Sequence, residues 1–204
     1  MKKIFFDMEF TGLHQNTTPV SIGMVADTGE TFYGEFTDYD TSQVDEWLKC
    51  HIIDKLKFEI PSEGESRYWI CNCKKKKMAV QGTRIEIAQD IIDWIQNLLG
   101  GRLSWVSYEK DKEPPFITTT EIEMWSDCLA YDWVLFCQLF GGVLNVPSYI
   151  YYIPFDISTL FKIKKIDPDI SREGFIGKSN TNEKHNSLWD AKVIRKCYQK
   201  LISL

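Results

Sequence analysis

Apolar residues gather in short runs at the start of the chain and at helical spacing later. Lys3-Ile4-Phe5-Phe6 opens a run that predicts a strand over residues 3–10. Thr18-Pro19 leads into a second strand, Val20 to Ala26. The turn signal Asp27-Thr28-Gly29-Glu30 then precedes a third, Thr31 to Phe36. Together these predict an antiparallel N-terminal meander. Val44, Trp47 and Leu48 follow at helical spacing, so Thr41 or Ser42 is expected to cap a short helix running to about Cys50. From Asp54 to Gly82 the periodicity is lost among Lys, Glu, Ser, Pro and Gly, which reads as an insertion or mobile flap.

Beyond the flap, Thr83 is placed to cap a helix to about Leu99. It carries Ile87, Ile91, Ile95 and Leu98 on one face and ends at Gly100-Gly101. Leu103 to Tyr108 reads as a strand, Glu109 to Pro115 as a polar loop, and Ile117 to Ala130 as a strand near its end. Asp132 to Phe140 predicts a helix stopped by Gly141-Gly142. An aromatic connector (Pro147 to Pro154), a helix (Asp156 to Lys164) and a polar loop (Ile166 to Glu183) precede a final amphipathic helix, Leu188 to Leu201. With no repeat and no linker, residues 1–204 read as one α/β domain, a mixed sheet flanked by helices.

Composition narrows the class. The chain has 204 residues, 44% hydrophobic, enough to bury a substantial core. No apolar run reaches bilayer length and the N-terminus lacks a signal-peptide pattern, so a cytoplasmic location is the default expectation and no membrane partner is expected. Six scattered cysteines do not make a disulfide scaffold. Cys50-His51 with Cys71-Asn72-Cys73 is tighter than zinc-site spacing and lacks a second spaced pair. The net charge of −5 argues against a broad basic nucleic-acid surface. Local runs (Lys74 to Lys77, and Lys162, Lys164, Lys165) remain either solvated faces or phosphate contacts.

The chemistry begins at Asp7-Met8-Glu9. Two residues apart on a strand, Asp7 and Glu9 share a face with Phe5, so open solvent would expose that phenylalanine too. Two carboxylates so close repel unless a cation lies between them, and Mg2+ or Mn2+ suits carboxylate oxygens. A phosphate-processing metal site needs further acids. Asp132 opens a helix and Asp190 follows Ser187 at capping-box spacing, so each has an ordinary capping explanation when taken alone. With Asn186 or Ser187 as cap, His185 lies on the preceding loop, free to swing over the site.

Taken in order, Asp7-x-Glu9, Asp132, and His185-x4-Asp190 resemble the DEDDh group of 3′-5′ exonucleases. That group includes the proofreading subunit of bacterial DNA polymerases, ribonuclease T and oligoribonuclease, on a ribonuclease H-like fold. Asp7-Met8-Glu9-Phe10-Thr11-Gly12-Leu13 departs from the group's pattern at Phe10. Phe10 does match the small stand-alone 3′-5′ exoribonuclease-like family known from mycobacteria, as do Ala130-Tyr131-Asp132 and His185-Asn186-Ser187-Leu188-Trp189-Asp190-Ala191.

The resemblance implies that Asp7, Glu9, Asp132 and Asp190 hold two divalent cations, Mg2+ or Mn2+, with His185 as general base. It implies hydrolysis of RNA or single-stranded DNA from the 3′ end to nucleoside 5′-monophosphates. It also implies terminal-nucleotide contacts from Phe10, Thr11 and Leu13, where Phe10 and Leu13 are equally readable as core residues. Members of the group are often homodimers, though no residue here marks an interface. A competing class, a binding module keeping the fold without useful turnover, is disfavoured because every catalytic position carries the required residue type.

Overall fold

The computed structural model describes residues 1–59, 68–72, 77–99, 122–127, 129–178 and 183–204. Strands β1 (Lys2–Phe10), β2 (Pro19–Ala26) and β3 (Thr31–Phe36) form the expected antiparallel meander. The turn between β2 and β3 closes with the Ala26 amide donating to the Glu30 carbonyl at 2.9 Å. β6 (Ile122–Ser126) lies parallel to β1, and the two-residue β7 (Phe155–Asp156) is parallel to β6. The sheet is thus mixed, as the sequence predicts.

The segment read as a flap contributes two of the seven strands seen among the described residues. β4 (Trp69–Asn72) and β5 (Lys77–Gly82) pair antiparallel, and β5 runs parallel to β3, giving the order β4-β5-β3-β2-β1-β6-β7. Met78 and Val80 sink into the core, an alternation too short to register beside four lysines. The strand expected over 103–108, the loop over 109–115 and the glycine stop at 100–101 lie outside the described residues.

Helices cover both faces. On one, α2 (Arg84–Leu98) and α3 (Leu129–Leu139) bury Ile87, Ile91, Trp94, Leu135 and Phe136 against Ile4, Phe6 and Met8 of β1. α2 starts with a full capping box between Thr83 and Glu86, and α3 stops where Gly141 takes φ +78°. On the other face, α4 (Ile157–Ile163) and α6 (Ser187–Ile202) enclose Phe5, Val25, Phe161, Ala191 and Ile194. The loop expected before α6 holds a one-turn helix, α5 (Arg172–Phe175), too short to show a period. It is capped by Ser171, and its Phe175 ring stands edge-on to Phe161 at 4.8 Å.

α1 (Glu46–His51) begins later than predicted. Asp45 caps it, accepting the Leu48 amide at 2.7 Å, and Thr41–Gln43 is a separate 3-10 turn capped by Asp40. Val44 between them is extended and interrupts the helix. Leu48 and Ile52 pin α1 to Val20 and Tyr39 in a small third cluster. Among the described residues no helix is long and apolar enough to cross a membrane.

Candidate active site

Strand alternation sets the faces of β1. Phe6 and Met8 enter the α2–α3 layer, while Phe5 sits in the α6 layer, so Asp7 and Glu9 emerge on the α6 side. Asp7 is paired with Gly23 and Glu9 with Ser21 of β2. A Cβ on Gly23 would lie 2.1 Å from the Leu188 nitrogen, so the backbone of α6's first turn rests directly on β2 there. The hydroxyls of Ser21 and Ser187 meet at 3.0 Å and fix the same contact.

This contact brings Asp190, in the first turn of α6, over β1. Asp7, Glu9 and Asp190 each present a carboxylate oxygen, all within 4.8 Å of one another. Asp132, in the first turn of α3, is fully buried. It accepts a hydrogen bond from the Ser126 hydroxyl. Its Oδ1 is buried with no partner among the described residues. Asp132 is not one of the three converging acids, but its charge acts on both Asp7 and Glu9.

The electrostatics follow. Burial, then the charges of Asp132 and Glu9, hold Asp7 well above the usual carboxylate range. Burial, Asp190 and Asp132 push Glu9 up to about 8, against the opposing pull of Lys55. Burial raises Asp132 to about 7, and burial with the Glu173 carboxylate raises Asp190 to about 7. A set of acids so placed is far better matched to divalent cations than to protons alone, and the orphaned Oδ1 of Asp132 offers a further ligand atom.

His185 adopts a left-handed backbone, φ +64°, and its amide donates to Asp190 Oδ2 at 3.1 Å. Asn186, rather than Ser187, is the cap of α6, accepting the Trp189 amide at 3.1 Å. His185 therefore stands on the turn, as expected, and lines a cavity of about 320 Å³ together with Asp7, Asp190, Asp127, Arg172 and Lys184. Burial first, then the charges of Lys184 and Lys55, lower its pKa below the ordinary imidazole value.

The motif tail is divided. Leu13 is 73% exposed, and Phe10 is half-buried, stacked on Tyr131 at 5.4 Å. Thr11 is buried; its hydroxyl donates to Gln43 and accepts the Thr18 amide at 2.9 Å, so it is engaged in shaping the turn.

Trp47, with its ring partner His51, and Asp127 reach the site without being expected there from the sequence. Trp47, 50% exposed on α1, stacks on His51 at 4.7 Å and meets His185 edge-on at 5.3 Å. The signal was present: Trp47 and His51 are four apart, on one helix face. Asp127 is a fifth acid near the cluster. It is held by Arg172 in a two-pronged ion pair (2.7 and 2.8 Å) and accepts the Ser158 hydroxyl at 2.9 Å, so its charge is balanced within the protein. Of the cysteine grouping, Cys50 is exposed and free, and Cys73 lies outside the described residues.

Residues 2–202 match the 3′-5′ exoribonuclease Rv2179c-like domain family. The chain belongs to this family. Two curated relatives, the 3′-5′ exoribonuclease Rv2179c of Mycobacterium tuberculosis H37Rv and the 3′-5′ exoribonuclease MT2234.1 of strain CDC 1551, are each 25% identical over 145 residues. That alignment covers 71% of this chain and 65% of the relatives' length. Two solved structures share the fold of this Rv2179c-like domain. One is a 3′-exonuclease described in 3′-end specific recognition of histone mRNA stem-loop, with TM-score 0.58 and 11% identity, covering 98% of this chain and 63% of that one. The other is the RNase domain of the yeast Pop2 protein, with TM-score 0.55 and 12% identity, covering 98% and 77%. The ribonuclease H-like architecture expected from the resemblance is therefore the observed one.

Proposed function

We infer that the chain is a divalent-cation-dependent 3′-5′ exoribonuclease that releases nucleoside 5′-monophosphates from single-stranded 3′ ends. The observation that carries this reading is the convergence of Asp7, Glu9 and Asp190 within 4.8 Å, beside buried Asp132 and a cavity shared with His185. Family membership agrees with it, and the same reading extends to single-stranded DNA.

Asp7, Glu9, Asp132 and Asp190 are the residues to hold the cations. When bound, a pair of Mg2+ or Mn2+ ions supplies the charge that acidifies an attacking water and neutralises the leaving 3′ oxygen. His185 takes the proton from that water. Its lowered pKa keeps the imidazole neutral near pH 7, the form a base requires, and the hydrogen bond its backbone N–H donates to Asp190 holds it at the cluster. Exposed Leu13 and exposed Trp47, which meets His185 edge-on, offer apolar faces on which a terminal base can rest without its edge being read. Thr11 keeps the Phe10–Leu13 turn in shape through Gln43 and Thr18.

The test uses 5′-labelled and 3′-labelled oligonucleotides, each as RNA and as DNA, with Mg2+ or Mn2+. Stepwise shortening of the 5′-labelled RNA, stopped by EDTA and by Asp7→Ala, is the expected result. If wild type and Asp7→Ala are equally inactive on every substrate, the protein is a binding module on this fold instead.

A further inference from the structure

A second cavity, of about 190 Å³, lies across α6 from the carboxylate cluster. It is lined by Lys77, Lys178, Lys192, Arg195 and Lys196, around Trp189, and no carboxylate is among its lining residues. This concentration of cations stands out on a chain whose net charge is −5. The residues come from separate elements: Lys77 opens β5, Lys178 follows α5, and the rest lie on α6. Such convergence is not the solvated face of one helix. The Lys178 ammonium sits 4.0 Å over the Trp189 ring, and the indole N–H is buried with no acceptor among the described residues. Arg195 is partly committed, donating to the Asp27 carbonyl at 2.6 Å.

The cavity is not isolated from the acids. Val193 of α6 lines both this cavity and the one that holds Asp7, His185 and Asp190. The two cavities thus adjoin through α6. Lys57 stands over the Tyr33 ring at 4.3 Å on β3. Val25, which lines the second cavity, lies four residues along β2 from Ser21, the partner of Glu9, or about 14 Å along the sheet.

We propose that this lysine-lined cavity is an exosite for the phosphate backbone of the RNA, gripping the strand a few nucleotides upstream of the cleaved 3′ end. The inference rests on the exoribonuclease reading above. Lysine ammonium groups bind phosphate as point charges, without reading sequence, which suits an enzyme that must advance along any strand. The lysine run of the sequence ends at Lys77, and this is the use the cavity gives that residue.

The experiment compares wild type with Lys77→Glu/Lys196→Glu on an RNA dodecamer and on a dinucleotide, which reaches only the cleft. Steady-state rates are measured in Mn2+, and binding of the labelled dodecamer in Ca2+ across a salt series. The expected result is a KM for the dodecamer raised about tenfold with kcat retained, and a salt slope shallower by about 1.4, from two lost contacts at roughly 0.7 each. Dinucleotide turnover should not change, and the milder Lys77→Gln/Lys196→Gln pair should fall between. An unchanged dodecamer KM overturns the exosite, as does an equal loss on the dinucleotide. It is also overturned if the lysine pair abolishes binding of inorganic phosphate or a free mononucleotide while leaving the dodecamer untouched. A wild type that cuts the dinucleotide but shows no length dependence sinks this inference alone, whereas one that neither cuts nor binds RNA sinks the nuclease reading with it.

Discussion

Gly23 of β2 and Leu188 of α6 touch through their backbones, so closely that a methyl group on the glycine would lie 2.1 Å from the Leu188 nitrogen. Gly23 is also the strand partner of Asp7, and Leu188 is two residues before Asp190. The missing side chain therefore sets the separation between two of the three converging acids.

Gly23→Ala should be among the most damaging small substitutions. Backbone on both sides leaves no flexible side chain to yield, so α6 must lift. Overpacking of this kind costs about 3 kcal/mol, and the displaced Asp190 would no longer share a cation with Asp7. Thermal unfolding should show the lower Tm, and calorimetry should show Mn2+ affinity lost even where the variant stays folded.

The acids also govern stability. Their folded-state pKa values are raised, by burial above all, whereas the unfolded chain titrates near 4. The folded protein holds those protons more tightly, so unfolding releases them, and without added cation stability falls as pH rises from about 4 to about 8. Mg2+ or Mn2+ reverses the trend, adding about 2.7 kcal/mol at a hundredfold excess over Kd, and more at pH 8 than at pH 5. Tm measured against pH with EDTA or Mn2+ checks both halves.

Asp7→Asn separates stability from function in the same cluster. Removing this buried carboxyl, which burial and the neighbouring acids disfavour in its charged form, should raise stability in EDTA at high pH while abolishing turnover and the Mn2+ response. A variant destabilised in EDTA would show that the repulsion is already relieved within the protein.

For His185 the informative change is to Asn, which tolerates the left-handed backbone at φ +64°. His185→Asn should keep the fold and the Mn2+ affinity and lose about 10²- to 10⁴-fold in kcat. In wild type, the acidic limb of the rate profile should fall below pH 6.5, because burial and the neighbouring lysines disfavour the charged imidazole. An unchanged rate in the Asn variant would remove His185 from the base role.

Trp47 and Leu48 are neighbours with opposite duties. Trp47→Ala should raise KM about tenfold or more by losing a stacking face, with little change in Tm. Leu48→Ala, in the cluster that pins α1, should cost about 2–4 kcal/mol with the KM of the surviving folded enzyme near normal.

Much of this organisation is legible in the sequence. Phe5, Asp7 and Glu9 share a face because strands alternate, and Thr83 with Glu86 announces α2 by its capping chemistry. What escaped was local order too short to show a period, as in α5, or overshadowed by charge, as in β5 beside its lysines. Glu35 illustrates a further limit. It is fully buried, and its carboxylate accepts the Tyr33 hydroxyl at 2.7 Å and the Phe58 amide at 3.1 Å, which ties the segment after α1 to the sheet. In sequence it is one more acid in an alternating strand. Trp47 reached the site for a similar reason: only the tertiary fold brings α1 beside the turn that carries His185.

The acids lie far apart along the chain, at residues 7 and 9, at 132, and at 190 in the final helix. During synthesis, β1 leaves the ribosome before α3 and α6, so its carboxylates must wait for both helices before they gain all their partners. Any product that stops before α6 lacks Asp190 and the backbone that rests on Gly23. Cation-binding competence is thereby timed to the emergence of α6, and a product interrupted before it carries Asp7 and Glu9 without the means to use them.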